Sequence, residues 1–466
     1  MWPAWIPKNI LVYVAVLTAH FGVFLNGTYI AWTSPVLVKL TSLNDNPLGR
    51  VISNSEQGWL VSIGVLGNWM GSCTSGVFAK NYGRKTALIV YTIPSLISYA
   101  TFCIADTFWL MLVVRLVGGI TSGAMFTVDP MYFGEVAEPK NRGLLGGAMN
   151  AFLNIGILFV LCVGPSFSFF WLHVILTACP VLYIIMMFLI VPESPYYLIE
   201  SNEKKAENVL KKLRGEEDVK AELSQIREYV HCKTEDTGTI SEIIHNKTTR
   251  KALIIGCGLL IFQQCSGVGV IMSFGQLIFE EVGDFLPSDL SAIILGIAQV
   301  IFSLMAPPLT DSLGRKIVLI FSHLGMSLSL LLFGVYFLMK EYGAVVHSIS
   351  WLPLTALVFF KFAYSAGSGQ IPFIIIGEIF PQRIKGPASS ITSVATSATA
   401  LILANSYTML KASIGMGYTF WIFASMGIFA TLFIIFFVLE TKGKSLQQIQ
   451  EALQKSKKTD LRSCNL

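Results

Sequence analysis

Apolar runs about as long as a bilayer is thick recur along this chain, and few folds other than a bundle of membrane-crossing helices can hold them. A helix needs about 20 apolar residues to cross the hydrocarbon layer. Twelve stretches meet that need, near residues 10–32, 58–79, 87–105, 108–133, 144–166, 169–191, 252–277, 290–310, 316–339, 351–378, 386–410 and 417–439. With 53% of its 466 residues hydrophobic and 13% charged, the chain has lipid as its solvent. The first run follows Lys8 with no small-residue cleavage pattern, so it is read as a retained span rather than a leader.

The formal charge of +5 does not point to nucleic acid, because Lys and Arg fall in short clusters between the runs instead of on one basic face. Lys80, Arg84 and Lys85, then Lys140 and Arg142, then Arg315 and Lys316, then Arg383 and Lys385 all share one side. The positive-inside rule makes that side cytoplasmic. The opposite loops are short or carry Glu280, Glu281, Asp284 and Asp289, with Lys39, Arg50, Lys340 and Lys411 as minor exceptions. An even number of spans then leaves both termini in the cytoplasm, and a cell-membrane location is expected. Six cysteines (Cys73, Cys103, Cys162, Cys179, Cys257, Cys265) lie in spans, and Cys232 and Cys464 in charged segments. No disulfide framework, metal site or cofactor is expected from them.

Residues 192–251 abandon apolar continuity for a charged stretch with Leu, Val and Ile at helical spacing, which predicts a cytoplasmic helical linker. The chain is thereby divided into an N-terminal six-helix bundle (1–191), the linker, a C-terminal six-helix bundle (252–440) and a cytoplasmic tail (441–466). The two bundles echo each other. Tyr82-Gly83-Arg84-Lys85 after span two answers Leu313-Gly314-Arg315-Lys316 after span eight. Glu135 precedes Arg142 by seven as Glu378 precedes Lys385, and Glu193 after span six answers Glu440 after span twelve. The expected fold is an all-α membrane protein of twelve transmembrane helices in two pseudo-symmetric bundles, an architecture that secondary transporters use to alternate access to a central site.

Six motifs stand in order: Gly76 through Gly83-Arg84-Lys85; Arg115 with Gly119, Gly123, Pro130, Tyr132, Glu135 and Arg142; Pro192-Glu193-Ser194-Pro195; Gln263-Gln264 with Ser266-Gly267; Pro372 to Glu378-Ile379-Phe380-Pro381; and Glu440-Thr441-Lys442-Gly443. Singly weak, together they resemble the sugar-porter branch of the major facilitator superfamily from about Thr33 to Leu446. Within it, Ala31-Trp32-Thr33-Ser34-Pro35, Asn154 to Leu158 and Lys442 to Leu446 look most like arthropod facilitated trehalose transporters. The resemblance implies a transporter, not an enzyme, that moves a sugar by alternating access through the bilayer, with no nucleic-acid partner.

The resemblance also implies a gate on the cytoplasmic side: Arg84 near Glu135 and Arg142, Arg315 near Glu378 and Lys385, with Glu193 and Glu440 joining from the ends of the halves. Arginine forks suit it because they pair with carboxylates in two parallel bonds. The plainer use of these charges is positive-inside anchoring. Lys80-Asn81 and Ser312 depart from the family pattern there.

For substrate, the family positions fall on Gln263, Gln264, Gln299, Asn150 and Phe373. Amides both donate and accept, as sugar hydroxyls require, and an aromatic face covers the ring CH groups. Helix glue, worth about 0.6 to 2 kcal/mol, is the competing role for such amides. Gly269, Ser273-Phe274 and Thr396-Ser397 replace other family side chains, so the pocket reads as wider and less polar than a glucose site. Either a larger substrate, such as a disaccharide, or a weakened site follows.

Proton-coupled members of the family carry a carboxylate in span one, where this chain has Thr28 or Tyr29 and no Asp or Glu from Leu11 to Trp32. Passive facilitated diffusion is therefore expected, with a proton-coupled symporter and a sugar sensor as alternatives. Two buried charges are unusual, Asp129 in span four and Lys361 in span ten; pairing or contact with water would relieve them. His173 and His323 read as core contacts, and Gly64, Gly67, Gly71, Gly118, Gly119 and Gly123 as small residues for close helix packing. No phosphate-cradling GxxxxGK(S/T) loop and no catalytic constellation appears.

Overall fold

The structure, a computed structural model, describes residues 9–138, 140–216, 218–233, 246–283, 285–381, 384–442 and 448, except for the side chains at 229, 231–233, 247, 306–313 and 385. Among the described residues the regular structure is helical, with no strand. All twelve runs are helical. Span one is Ile10–Ala31, two Asn54–Tyr82, three Arg84–Val90 with Ile93–Phe102, four Phe108–Val136, five Arg142–Ser166 and six Phe169–Ile190. Span seven is Lys247–Cys265 with Val268–Val282, eight Ser288–Leu313, nine Arg315–Glu341, and ten runs from Leu352–Ala363 to Ile371–Ile379. Spans eleven and twelve lie in Lys385–Phe437, which turns at Gly415 with φ 83°.

Length and apolarity alone mark nine crossing helices among the described residues. Spans eleven and twelve merge into one such stretch, while the Ser-, Gly- and Asn-rich span two and the broken span three do not register. The break in span three has a local cause. Pro94 removes a backbone donor, and Thr121 of span four repairs the gap by donating to the Tyr91 carbonyl at 2.7 Å and accepting the Ser95 N–H at 2.9 Å.

The chain divides into two compact units, Met1–Glu235 and Asp236–Leu466. In the first, span two lies against span four at glycine distance. A Cβ on Gly67, Gly71 or Gly123 would fall 2.0, 2.0 and 1.8 Å from the carbonyl oxygens of Leu116, Ile120 and Asn68. The same unit holds three short helices, Pro195–Ser201, Glu203–Arg214 and Lys220–Lys233. Their apolar faces (Ala206, Leu210, Val219, Leu223, Ile226) form a small core of their own, and Arg214 donates to the Val136 carbonyl at the end of span four (2.9 Å). In the second unit, span twelve packs on span nine, with Gly417 against Leu338 and Gly427 against Ser327.

Helix starts are fixed by side chains that take up the orphan N–H groups. Ser53 and Glu56 form a reciprocal capping box at span two. Arg50 pairs with the Glu56 carboxylate of this box at 2.5 Å. Ser168 caps span six, and Ser194 and Asn202 cap the first two helices after it.

Candidate substrate site

Two helix breaks bring polar groups together inside the second unit. Span seven stops at Cys265 because Gly267 takes a left-handed conformation (φ 80°) and Ser266 turns its hydroxyl back onto the Gln263 carbonyl at 2.6 Å. Span ten widens to a π-helical turn over Tyr364–Ser368, where the Gly369 N–H reaches back to the Tyr364 carbonyl (2.8 Å). Such turns often mark functional sites. Gln263, 2% exposed, donates to the Ser368 carbonyl of this turn at 2.5 Å. Gln299 of span eight, 4% exposed, donates to the Ser365 hydroxyl at 3.4 Å, and its carbonyl oxygen has no hydrogen-bond partner among the described residues.

Gln264 is half-buried beside this cluster; a Cβ on Gly269 would lie 3.5 Å from its carbonyl oxygen. Phe373 is 58% exposed, on the short helix after the π turn. Asn150 belongs to the first unit, half-buried in span five, and its backbone carbonyl accepts from the Asn154 side chain at 2.9 Å. Gln263 and Gln299 are thus drawn to the same turn of span ten.

The first unit handles its buried charges differently. Arg115 of span four is 4% exposed and has no carboxylate beside it: its guanidinium lies 3.7 Å from the Tyr29 ring centroid and 4.8 Å from that of Trp32. It donates to the Tyr29 carbonyl at 2.8 Å, and the Tyr29 hydroxyl donates to the Arg115 carbonyl at 2.5 Å. Asp129 finds its partner in span one: its carboxylate meets His20 Nδ1 at 2.7 Å, and His20 Nε2 meets the Leu145 carbonyl at 3.0 Å, all fully buried. A carbonyl can only accept, so Nε2 carries hydrogen and a single proton lies between Nδ1 and the carboxylate. Wherever that proton sits, the pair is neutral as a unit.

The gate residues fall into two similar sets. Arg84 donates to Glu135 at 2.8 Å, and Ser194 takes the other Glu135 oxygen. Glu193 caps the start of span three by accepting the N–H groups of Arg84 (2.8 Å) and Lys85 (3.0 Å). In the second unit Arg315 lies 3.6 Å from Glu378, and Glu440 accepts the N–H groups of Arg315 and Lys316, both at 3.0 Å. Burial pushes the Glu440 carboxyl up, but the N–H groups of Lys442, Lys316 and Arg315 outweigh it and hold the carboxyl below its ordinary value. Gly83 (φ 99°) and Gly314 (φ 93°) admit these carboxylates where a Cβ would come within 2.3 and 2.9 Å of them. Arg142 is exposed and donates to the Ala137 carbonyl at 3.3 Å. The side chains of Lys385, Asp311 and Ser312, together with Asp284, Arg383, Gly443 to Leu446 and Cys464, lie outside the described residues.

His20, Ser365, Ser368 and the aromatic cage of Arg115 were not singled out from sequence. Arg115 had a signal, an arginine in an apolar run. His20 had only its place in span one, and the serines had none apart from their nearness to Gly367 and Gly369. His173 accepts from the Trp32 indole at 2.8 Å, and His323 contacts the Leu319 carbonyl at 3.0 Å and the Ser368 hydroxyl at 3.4 Å.

Known proteins match this arrangement along nearly its whole length. A family model described as "Sugar (and other) transporter" covers residues 12–453. The facilitated trehalose transporter Tret1 of Polypedilum vanderplanki is 32% identical over 97% of this chain and 89% of its own length. Its namesake in Anopheles gambiae is 34% identical over 94% of this chain, which spans 56% of that longer protein. Among solved structures, the xylose transporter XylE from E. coli, in a partially occluded inward open conformation, superposes with a TM-score of 0.79 at 23% identity, covering 94% of this chain and 100% of that one. Matched across both units, the chain belongs to the sugar transporter family and has the twelve-helix major facilitator fold.

Proposed function

We propose that this protein carries a neutral or derivatised sugar, of the size of a hexose or trehalose, across the cell membrane by alternating access without proton coupling, with both termini in the cytoplasm. The carrying observation is the buried Gln299 carbonyl oxygen, an acceptor without a partner among the described residues at a broken-helix turn where Gln263 also converges. A buried acceptor without a partner is costly, and a sugar hydroxyl satisfies it. Broken helices at mid-span are where transporters of this architecture bind their cargo. The names of the relatives, trehalose and xylose transporters, support the same substrate class.

The passive mode rests on how the first unit disposes of its charges. Arg115 is answered by two aromatic rings and a carbonyl, so no span-one carboxylate is present there to load and unload a proton. Asp129 already shares its proton with His20. The ion pairs of the gate sets, closing and opening on the cytoplasmic side, would each contribute about 0.2 to 1 kcal/mol, weak enough to break in every cycle.

Uptake of labelled trehalose and glucose into proteoliposomes, with and without an imposed pH gradient, tests this. Saturable uptake that stops at equal concentrations and is indifferent to the gradient is expected, and Gln299→Ala should slow it by about 10-fold, near the worth of one hydrogen bond. Accumulation above the external concentration under the gradient would make the protein a symporter. Saturable binding with no flux would make it a sensor.

A further inference from the structure

We infer that Lys361 equips the second unit to bind a sugar that carries a carboxylate, a hexuronate, which deepens the transport reading above and rests on it. Lys361 sits in span ten, 4% exposed, one helical turn before the π segment, and no carboxylate or other hydrogen-bond partner meets it among the described residues. A charge in that position is expensive unless something answers it. In the first unit each buried charge is answered from within: Asp129 by His20, Arg115 by rings and a carbonyl.

The placement of Lys361 connects it to the amide cluster. Lys361 and Ser365 stand at i and i+4 and share a face of span ten, and Ser368 closes the π turn that follows. Gln299 touches this turn at the Ser365 hydroxyl and Gln263 touches it at the Ser368 carbonyl. The Lys361 backbone stands about 6 Å up the helix from Ser365, at the helical rise per residue. His323, the titratable side chain that span nine brings to this turn, contacts Ser368 and can supply no negative charge.

The cluster therefore makes two unmet demands, an anion for the ammonium and a donor for the Gln299 carbonyl. A neutral sugar answers only the second. A hexuronate answers both, its carboxylate on Lys361 and a ring hydroxyl on Gln299. Snorkelling, the usual escape of an intramembrane lysine, leaves the ammonium in water at a helix end; Lys361 is instead buried in the middle of Leu352–Ile379.

The test uses the full-length protein in proteoliposomes and, in detergent, direct binding of glucuronate and glucose. In wild type, glucuronate should compete for labelled glucose uptake about 10-fold better than unlabelled glucose does, a charge-assisted bond replacing a neutral one. Lys361→Met should lower the glucuronate-to-glucose uptake ratio by about 10-fold, and Lys361→Arg should restore most of it. Glucose or trehalose flux that glucuronate does not inhibit overturns this inference and leaves the transport reading intact. The same holds if neutral-sugar flux requires chloride, since a free ion would then be the partner of Lys361. If no sugar crosses, the transport reading fails, and Lys361-dependent glucuronate binding in detergent still decides the inference. Should Lys361→Met fail to fold, the wild-type competition decides it alone.

Discussion

The two halves share a fold and treat buried charge in opposite ways. The first half gives Asp129, His20 and Arg115 each a partner of its own, His20 on Asp129, Leu145 on His20, Tyr29 and Trp32 on Arg115, while Asp129 Oδ1 and Arg115 Nε have none among the described residues. The second half encloses the Lys361 ammonium and the Gln299 amide oxygen, and neither has a partner among the described residues. Its helices break beside these groups, at Gly267 and at the π turn of Tyr364–Ser368, whereas the break of span three in the first half is bridged by Thr121. Duplication gives both halves the same frame, and this difference in buried polarity is what the proposed sugar site in the second half rests on.

That contrast predicts stability changes of opposite sign. Asp129→Ala strands His20 in the core without its acceptor, and breaking a buried pair from one side costs about 3 to 5 kcal/mol. The apparent Tm in detergent should fall steeply. Lys361→Met keeps the stem and removes a charge that nothing in the fold requires, so the Tm without substrate should hold or rise. A fall in both would mean that Lys361 has a structural partner and that the halves do not differ as described.

Much of this frame was legible because its signals are long and repeated. Twelve apolar runs, a charged interval near residue 200 and the paired Gly-Arg-Lys signatures specify two six-helix bundles. Asp129 and Lys361 also stood out, since a charge in an apolar run needs no partner in view to look costly. What stayed hidden depends on neighbours distant in sequence. His20 lies 109 residues from Asp129, and nothing local distinguishes it from a packing histidine. The π turn was read through as helix because Ser365 and Gly367 interrupt periodicity only weakly. The amides fared in between: the Gln263-Gln264 motif marks a position, whereas their partners on span ten are a matter of tertiary contact. Phe373, 58% exposed, shows that a position can match without its burial being foreseeable.

Packing offers a second contrast, smaller in size. Gly123 stands where a Cβ would be 1.8 Å from the backbone oxygen of Asn68, and backbone cannot step aside. A Cβ on Gly256 in the second half would meet side-chain carbons, Ile376 and Thr392 at 3.3 Å and Phe380 at 3.5 Å, which can shift by a few tenths of an ångström. Gly123→Ala should therefore cost about 1 to 3 kcal/mol, the usual range for overpacking, and Gly256→Ala less than about 1. Apparent Tm and sugar uptake measured on the same preparations check both. Equal losses would mean that the second half is packed as rigidly as the first.

The smallest expected difference lies in the gate sets. The Arg84 and Glu135 pair is at 2.8 Å with side chains 12% and 16% exposed, and the Arg315 and Glu378 pair is at 3.6 Å with 17% and 29%. Double-mutant cycles to alanine should give a coupling of about 1 kcal/mol for the first and about 0.2 for the second, the two ends of the range for partly hydrated pairs. Acid adds a second axis. Glu440 is held below its ordinary value of 4.5 by backbone N–H groups, so its capping is complete above that value and fades as pH falls through the lower folded one. The stability difference between wild type and Glu440→Gln should then be constant at neutral pH and shrink only below 4.5. A difference that shrinks at higher pH would mean that those N–H groups do not hold the carboxylate.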